Sequence, residues 1–348
     1  MSEYNNSAVI IGCHGAELSK DEINLFEDTR PWGYILFSRN LHSRQQIIEL
    51  TEEMKRISGP STPILIDQEG GDISRLKPPL SHAWCNVTDM SLADLPEDEI
   101  LRALEIRYHW ISLDMNTLGI NTNCTPLLDI PSENGDMDSV LKGRILGFSP
   151  DEVAERAISV MNGSSKGGSL SVIKHIPGHG RCVGDPHSGD SIVTATIDEL
   201  LSRDFKAIRY FIDKTSPNIM AMLSHVLYKD IDKENCATQS EIIINNYIRS
   251  EVLGLDEALL ITDDICMDAL KGNHAERSSR CLEAGCDIIL HCNGNIYDAE
   301  CVMNTVPKLA GKSLERSIAV LSTKKSPCEL DKLYAMEFLK KINFMPYI

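Results

Sequence analysis

Short apolar runs rich in β-branched residues recur along the chain. Between them lie stretches whose apolar residues return at helical spacing. The runs are AVIIGC (8–13), YILFS (34–38), PILID (63–67), a segment around GINTN and PLLDI (119–130), SVIKH (171–175), IMAMLSH (219–225), ALLITDD (258–264) and DIILHCN (287–293). Amphipathic stretches such as SRQQIIELTEEMKRI, PDEVAERAISVMNG, TIDELLSRDFKAIRYFI and SEIIINNYIRSEVLG separate them. Thr196 and Ser240 stand where a helix N-cap belongs. About eight strands alternating with helices predict one α/β domain over 1–348, a (β/α)8 TIM-type barrel. The stretch from about 310 to 348 reads as helices packed on that barrel.

The strand ends carry more information than their number. The apolar runs finish on Arg39, Asp67, Asp129, Lys174-His175, Ser224-His225, Asp263-Asp264 and His291-Cys292-Asn293. In a barrel of this kind every strand's C-terminal end converges on one face, where the active site is built. These residues are therefore expected to line a common pocket.

Composition adds boundaries. Apolar residues make up 42% and charged residues 24%, as in ordinary folded proteins, and no run is long and apolar enough to span a bilayer. The net charge of -17 argues against nucleic acid and anionic lipid as partners. The acidic N-terminal stretch lacks the basic, then apolar, pattern of a signal peptide. The 11 cysteines are odd in number and sit largely inside apolar runs, which together point to reduced thiols and a cytoplasmic protein. No C-x-x-C pair occurs, so no structural zinc site is expected. A monomer is the favoured state.

Three constellations concentrate chemistry. IDQEGGDISRL (66–76) puts a carboxylate at a strand end, then a glycine pair through which backbone approaches a ligand, then Arg75. KHIPGHGRCVGDPHSGD (174–190) runs from Lys174-His175 into a glycine-rich loop with Asp185 and His187. LITDDICMDAL (260–270) ends a strand on two adjacent acids. Several fixed donors and acceptors without one dominant charge suit a polyhydroxylated ligand. The competing readings are a mutual ion pair for Asp67 and Arg75, a structural pairing for Lys174-His175, helix capping by Asp263-Asp264, and an ordinary surface loop around Asp185 and His187.

These segments resemble the family 3 glycoside hydrolases, in particular the bacterial β-N-acetylglucosaminidases (β-hexosaminidases) of the NagZ type. GYILFSRN, DQEGG with Arg75, TNCTPLLDI, GRILGFSPDEV, KHIPGHG with GDPH, MLSHVLY, ITDDICM and AGCDIILHCN fall in the family's order over most of the chain. The resemblance implies a retaining exo-β-N-acetylglucosaminidase that needs no cofactor or metal. It would release terminal non-reducing N-acetylglucosamine from peptidoglycan (muropeptide) fragments during cell-wall recycling. Asp263 would be the nucleophile, and His187 with Asp185 the acid/base dyad on a loop. Asp67, Arg75, Arg144, Lys174 and His175 would bind the sugar. A histidine titrates near pH 6.5 unperturbed, and a neighbouring carboxylate raises that value, which suits proton donation to a leaving alkoxide. The chain departs from the family pattern at Asp72, Ile176 and Pro186.

Three rival activities stay open at this point. A metal-dependent hydrolase would take His175, His179, Asp185 and His187 as ligands, although Pro177 and Gly178 prevent the first two from forming a helical pair. A non-catalytic sugar-binding protein would have lost the nucleophile or the acid/base pair, and both are present. A β-N-acetylglucosaminide phosphorylase, or another family 3 β-glycosidase, shares the same residues and differs in acceptor or sugar.

Overall fold

The computed structural model describes residues 5–137, 139–182 and 191–347. Eight strands close into a barrel: β1 (Ser7–Gly12), β2 (Pro31–Leu36), β3 (Ile64–Ile66), β4 (Thr122–Asn123), β5 (Leu170–Ile176), β6 (Met220–Leu223), β7 (Leu259–Asp264) and β8 (Ile288–His291). Each pairs in parallel with its sequence neighbour. Closure comes from β1 against β8, with Val9 opposite Ile289 and Ile11 opposite His291. The strands lie within one or a few residues of the apolar runs in the sequence.

Such strands are buried on both faces, which is why they read as unbroken apolar runs. Their alternation sorts the side chains into two layers. Ile10, Ile35, Leu65, Cys124, Val172, Met222, Ile261 and Leu290 fill the barrel interior. Ile11, Leu36, Ile66, Ile173, Leu223, Leu260 and Ile289 face the helices. The interior parity of β3, β5 and β7, continued two residues toward the C-terminal face, falls on Asp67, Lys174 and Asp263.

The helices begin where the sequence provides caps. Ser19 caps α1 (Lys20–Thr29), Ser43 caps α2 (Arg44–Ser58) and Ser149 caps α4 (Pro150–Lys166), the first and third through full capping boxes. Between them α3 (Glu97–Asn116) starts after Pro96 with three acids in its first turn. Two expected helices come out differently. The stretch from 196 to 212 splits at Arg203, which leaves helical dihedrals while its guanidinium donates to the carbonyls of Pro131 and Phe148. Only Asp204–Lys214, α5, continues as a longer helix. After Ser240 the helix lasts only Glu241–Ile243 and then widens to π geometry over Ile244–Ile248. The wider turn brings Ile243, Ile244 and Ile248 to the buried side together and leaves Ile242 exposed. The later helices are α6 (His274–Ala284), α7 (Ile296–Thr305), α8 (Gly311–Ser322) and α9 (Lys332–Lys341).

The loop after β3 folds into a small antiparallel hairpin, Gln68–Gly70 against Ile73–Ser74. The glycine pair at its tip does not serve a ligand approach. A Cβ on Gly70, at φ +90°, would lie 2.0 Å from the Arg107 guanidinium, and one on Gly71 would lie 2.0 Å from Asn86 Oδ1. Gly70 instead admits the fully buried Arg107 of α3, which donates to the carbonyls of Glu69 (2.8 Å) and Cys85 (2.9 Å), and Gly71 admits Asn86. Gly70→Ala combines this overlap with a disfavoured φ. It should lower unfolding stability by about 2–4 kcal/mol in equilibrium denaturant titration, whereas Gly135→Ala, which shares a positive φ (+81°) but meets nothing within 4 Å, should cost only the backbone strain of about 1–2 kcal/mol.

Candidate active site

At the C-terminal end of the barrel a cavity of about 450 Å³ is lined by Asp67, Arg75, Arg144, Lys174, His175, His179, Asp263 and Asp264, with Phe37, Met222 and Met267 as apolar walls. Every sugar-binding residue expected from the sequence, and the expected nucleophile, therefore meets in one place. Asp185 and His187 lie outside the described residues.

Lys174 organises the polar floor. Its side chain is almost fully buried, and Nζ sits 2.9 Å from Asp67 Oδ1 and 2.8 Å from Glu69 Oε1. Arg75 reaches the other oxygen of Asp67 at 3.2 Å, and its guanidinium rests over the Phe37 ring. Arg144 grips Glu69 with Nε at 2.9 Å and a terminal nitrogen at 2.8 Å, a bidentate arrangement. Burial alone would raise the Asp67 and Glu69 carboxyls, but Lys174 with Arg75 at the first, and Lys174 with Arg144 at the second, hold both below their ordinary values. Burial would likewise lower Lys174, yet the two carboxylates push it above the usual lysine range. The ion pair that competes with sugar binding at Asp67 and Arg75 thus exists, and both members still line the cavity.

Glu69 was not singled out by the sequence, because it sits in the hairpin and not at a strand end. Its carbonyl accepts from Tyr108 (2.9 Å) as well as Arg107, so α3 fixes its backbone. Asp72, where the family pattern has a different residue, is exposed and exchanges hydrogen bonds with Asn86.

His175 breaks the alternation of β5, where the pairing register shifts between Ile173 and Ile176, and so turns to the cavity. Its Nδ1 lies 2.7 Å from Asp129 Oδ2. Asp129 is fully buried and also accepts from the His179 backbone N–H at 2.6 Å. This carboxylate at the end of the fourth strand segment thus orients the imidazole and the start of the following loop.

Asp263 and Asp264 are adjacent but differ. Burial opposes ionisation of Asp263, yet His175, His225 and the Asp264 backbone N–H, 2.8 Å from Oδ1, hold its carboxyl below the ordinary value. It is an anion at neutral pH. Asp264 is pushed up by burial and accepts from the backbone N–H groups of Cys266 (3.0 Å) and Cys292 (3.1 Å), tying β7 to β8. His225 lies behind the pair, with Nε2 donating to the Asp264 carbonyl at 3.0 Å and Nδ1 facing Thr238 Oγ1 at 2.8 Å. Asn293 bonds the Asp298 side chain and lies outside the cavity lining.

Comparison with known proteins places this arrangement. Residues 12–320 match the model of the glycosyl hydrolase family 3 N-terminal domain. The chain belongs to glycosyl hydrolase family 3. This family 3 glycoside hydrolase is 32% identical over 263 residues to a β-hexosaminidase of Nitrosomonas eutropha, covering 75% of the chain and 73% of the relative. It is 29% identical to the β-hexosaminidase of Methylobacillus flagellatus, covering 88% and 86% respectively. Its fold superposes on NagZ from Neisseria gonorrhoeae crystallised with a zinc ion, with TM-score 0.83, 25% identity and coverage of 97% and 98%. The same relative in complex with N-trifluoroacetyl-D-glucosamine gives TM-score 0.82 at 25% identity, covering 97% and 94%.

Lys174→Met tests the polar floor of this hydrolase. The substitution leaves two buried carboxylates short of a counter-charge and should cost about 3–5 kcal/mol at pH 7. The pH dependence gives the sign. Asp67 and Glu69 have folded values below their unfolded ones, so their contribution is present above the unfolded values, about pH 4, and is lost as pH falls through the folded ones. In the variant both carboxyls rise, and protonation relieves the fold. The stability gap between wild type and variant, followed by denaturant titration from pH 7 downward, should narrow on acidification; a constant gap would mean that Lys174 acts by packing alone.

Proposed function

We propose that this family 3 hydrolase is a retaining exo-β-N-acetylglucosaminidase, acting in the cytoplasm on terminal non-reducing N-acetylglucosamine of peptidoglycan (muropeptide) fragments in cell-wall recycling. The observation that carries the reading is the Asp263 side chain at the end of β7, in a 450 Å³ cavity with Asp67, Arg75, Arg144, Lys174 and His175, where His175, His225 and the Asp264 N–H favour its anionic form. The β-hexosaminidase relatives and the amino-sugar complex of the Neisseria protein support the choice of sugar. We read 1–348 as one catalytic barrel with the helices of about 310–348 packed on it.

Asp263 attacks the anomeric carbon and forms a glycosyl ester, while the aglycone oxygen leaves with a proton. His187 donates that proton, and Asp185 stabilises the imidazolium; both assignments rest on the D-x-H pattern. Neutral His187 then removes a proton from water, which attacks the same carbon from the aglycone side and restores the β configuration. Arg75, Arg144, Lys174 and His175 hold the sugar, with Asp67 accepting from a hydroxyl. Their mutual pairing fixes them before substrate arrives, so little reorganisation is needed at the transition state.

A panel of nitrophenyl glycosides tests reaction and sugar together. N-Acetyl-β-glucosaminide should be cleaved well ahead of β-glucoside, β-xyloside and N-acetyl-β-galactosaminide, with the β anomer first in the proton NMR spectrum. A sugar 1-phosphate formed on adding phosphate would make the protein a phosphorylase instead. Asp263→Asn should abolish turnover of every substrate, by about 10⁴-fold or more. His187→Ala should lose about 10²- to 10⁴-fold on substrates with poor leaving groups and far less in glycosylation by a dinitrophenyl glycoside. Equal losses on both would place the proton donor elsewhere.

A further inference from the structure

Behind the sugar cavity, three residues from separate elements converge. Cys266 follows β7 in the turn, His274 opens α6, and His291 ends β8. Each offers a ligand atom, and these atoms lie within 4.8 Å of one another. His291 has the outward parity of β8, one residue from the cavity-lining Leu290 and Cys292, so it faces the helix layer. It is fully buried, and among the described residues neither ring nitrogen has a hydrogen-bond partner. A buried imidazole with both nitrogens idle is costly, and its partner must be sought nearby. The nearest groups suited to it are the edge of the His274 ring, with centroids 5.3 Å apart at 82°, and the Cys266 sulfur.

We propose that Cys266, His274 and His291 bind a zinc ion, with one coordination position open to water. One thiolate and two imidazoles form a donor set that prefers zinc to the hard cations calcium and magnesium. Tetrahedral bonds of about 2.3 Å to sulfur and 2.0 Å to nitrogen put ligand atoms about 3.3–3.7 Å apart, so the side chains close by about 1 Å on binding. His274 Nδ1 already faces Asp298 Oδ1 at 3.4 Å, while Asn293 Nδ2 holds the other oxygen of Asp298 at 2.8 Å. A carboxylate on the far nitrogen of a ligating histidine fixes its tautomer and directs Nε2 to the ion. The thiolate and Asp298 supply two negative charges against the two positive charges of zinc. Cys266 and His274 are partly exposed, which gives the ion a path in. Intervals of seven and sixteen residues between the ligands match no short zinc motif, and the absence of a C-x-x-C pair says nothing about ligands brought together only by the fold.

The test uses the full chain, stripped with chelator and kept reduced, titrated with zinc chloride by calorimetry and checked by elemental analysis. One zinc per chain with Kd below about 1 µM is expected, and a Tm rise on the order of 3 °C at a hundredfold excess over Kd. Cobalt should give a sulfur-to-metal charge-transfer band. Cys266→Ser should abolish that band, and it and His291→Val should each weaken zinc by about a hundredfold or more. Asp298→Asn should weaken it by about 10- to 100-fold. His291→Val also removes an unpartnered buried imidazole, so its metal-free Tm should equal or exceed that of wild type, which keeps the test valid if another variant folds poorly. Binding that survives both ligand substitutions, as with an ion lodged in the sugar cavity or on other cysteines, overturns the proposal. So does the absence of saturable binding.

Discussion

The buried ammonium of Lys174 is the interaction on which the catalytic face depends. Transferring a lysine charge from water to a protein interior costs several kcal/mol, and only close, well-oriented carboxylates offset it. Here Asp67 and Glu69 stand within 3 Å of Nζ, and Arg75 and Arg144 complete them. Two carboxylates face three cations, which leaves one positive charge. The Asp263 carboxylate lies in the same cavity and balances it. The Asp263 carboxyl is buried, and this surplus charge is one of the influences that hold it below its ordinary value.

That cluster is assembled from distant parts of the chain, and the barrel is what brings them together. Asp67 follows β3, Lys174 lies in β5, Asp263 in β7, and Arg144 precedes α4. The first three arrive through alternation, each two residues beyond an interior side chain of its strand, whereas Arg144 comes in on the loop before α4. Glu69 arrives by another route, on a hairpin whose backbone is clamped by Arg107 and Tyr108 from α3. The helix layer thus fixes the backbone that carries the Glu69 carboxylate, the barrel strands bring Asp67, Lys174 and Asp263, and loops bring Arg75 and Arg144. Because partners are satisfied before a sugar enters, the donors hold their geometry without ligand.

Much of this was legible in the chain. Doubly buried strands read as continuous apolar runs, and a polar residue closing such a run must face something polar, so Asp67, Lys174 and Asp263 could be placed in one pocket from pattern alone. Arg144 was reached only through resemblance, since nothing in its own surroundings announces a strand end. Glu69 was missed because hairpin positions carry no periodicity. Gly70 and Gly71 were legible as close approach but not as to what approaches; a glycine reports missing volume, and Arg107 lies 37 residues beyond Gly70 in sequence. His175 lines the cavity although strict alternation would send it outward, and the register shift in β5 that turns it there leaves no mark in the sequence. The π turn after Ser240 likewise follows from where three isoleucines must be buried, which requires the barrel wall to be known.

The division between Asp263 and Asp264 shows how adjacent identical residues take different duties. Both line the cavity, but their carboxylates meet different partners, Asp263 the backbone N–H of Asp264 and Asp264 the backbone at the junction of β7 and β8. Asp264 accepts from the backbone of Cys266 and Cys292 across that junction. Cys292 is the neighbour of His291, and Cys266 is its partner in the cluster behind the cavity. The ends of β7 and β8, which hold Asp263 and Asp264, therefore also carry two of the three proposed zinc ligands, Cys266 and His291. Displacement of either strand end moves the Asp264 hydrogen bonds, and with them the backbone N–H that donates to Asp263. Two backbone hydrogen bonds to Asp264 thus join the ends of β7 and β8 between Asp263 on one side and the proposed zinc site on the other.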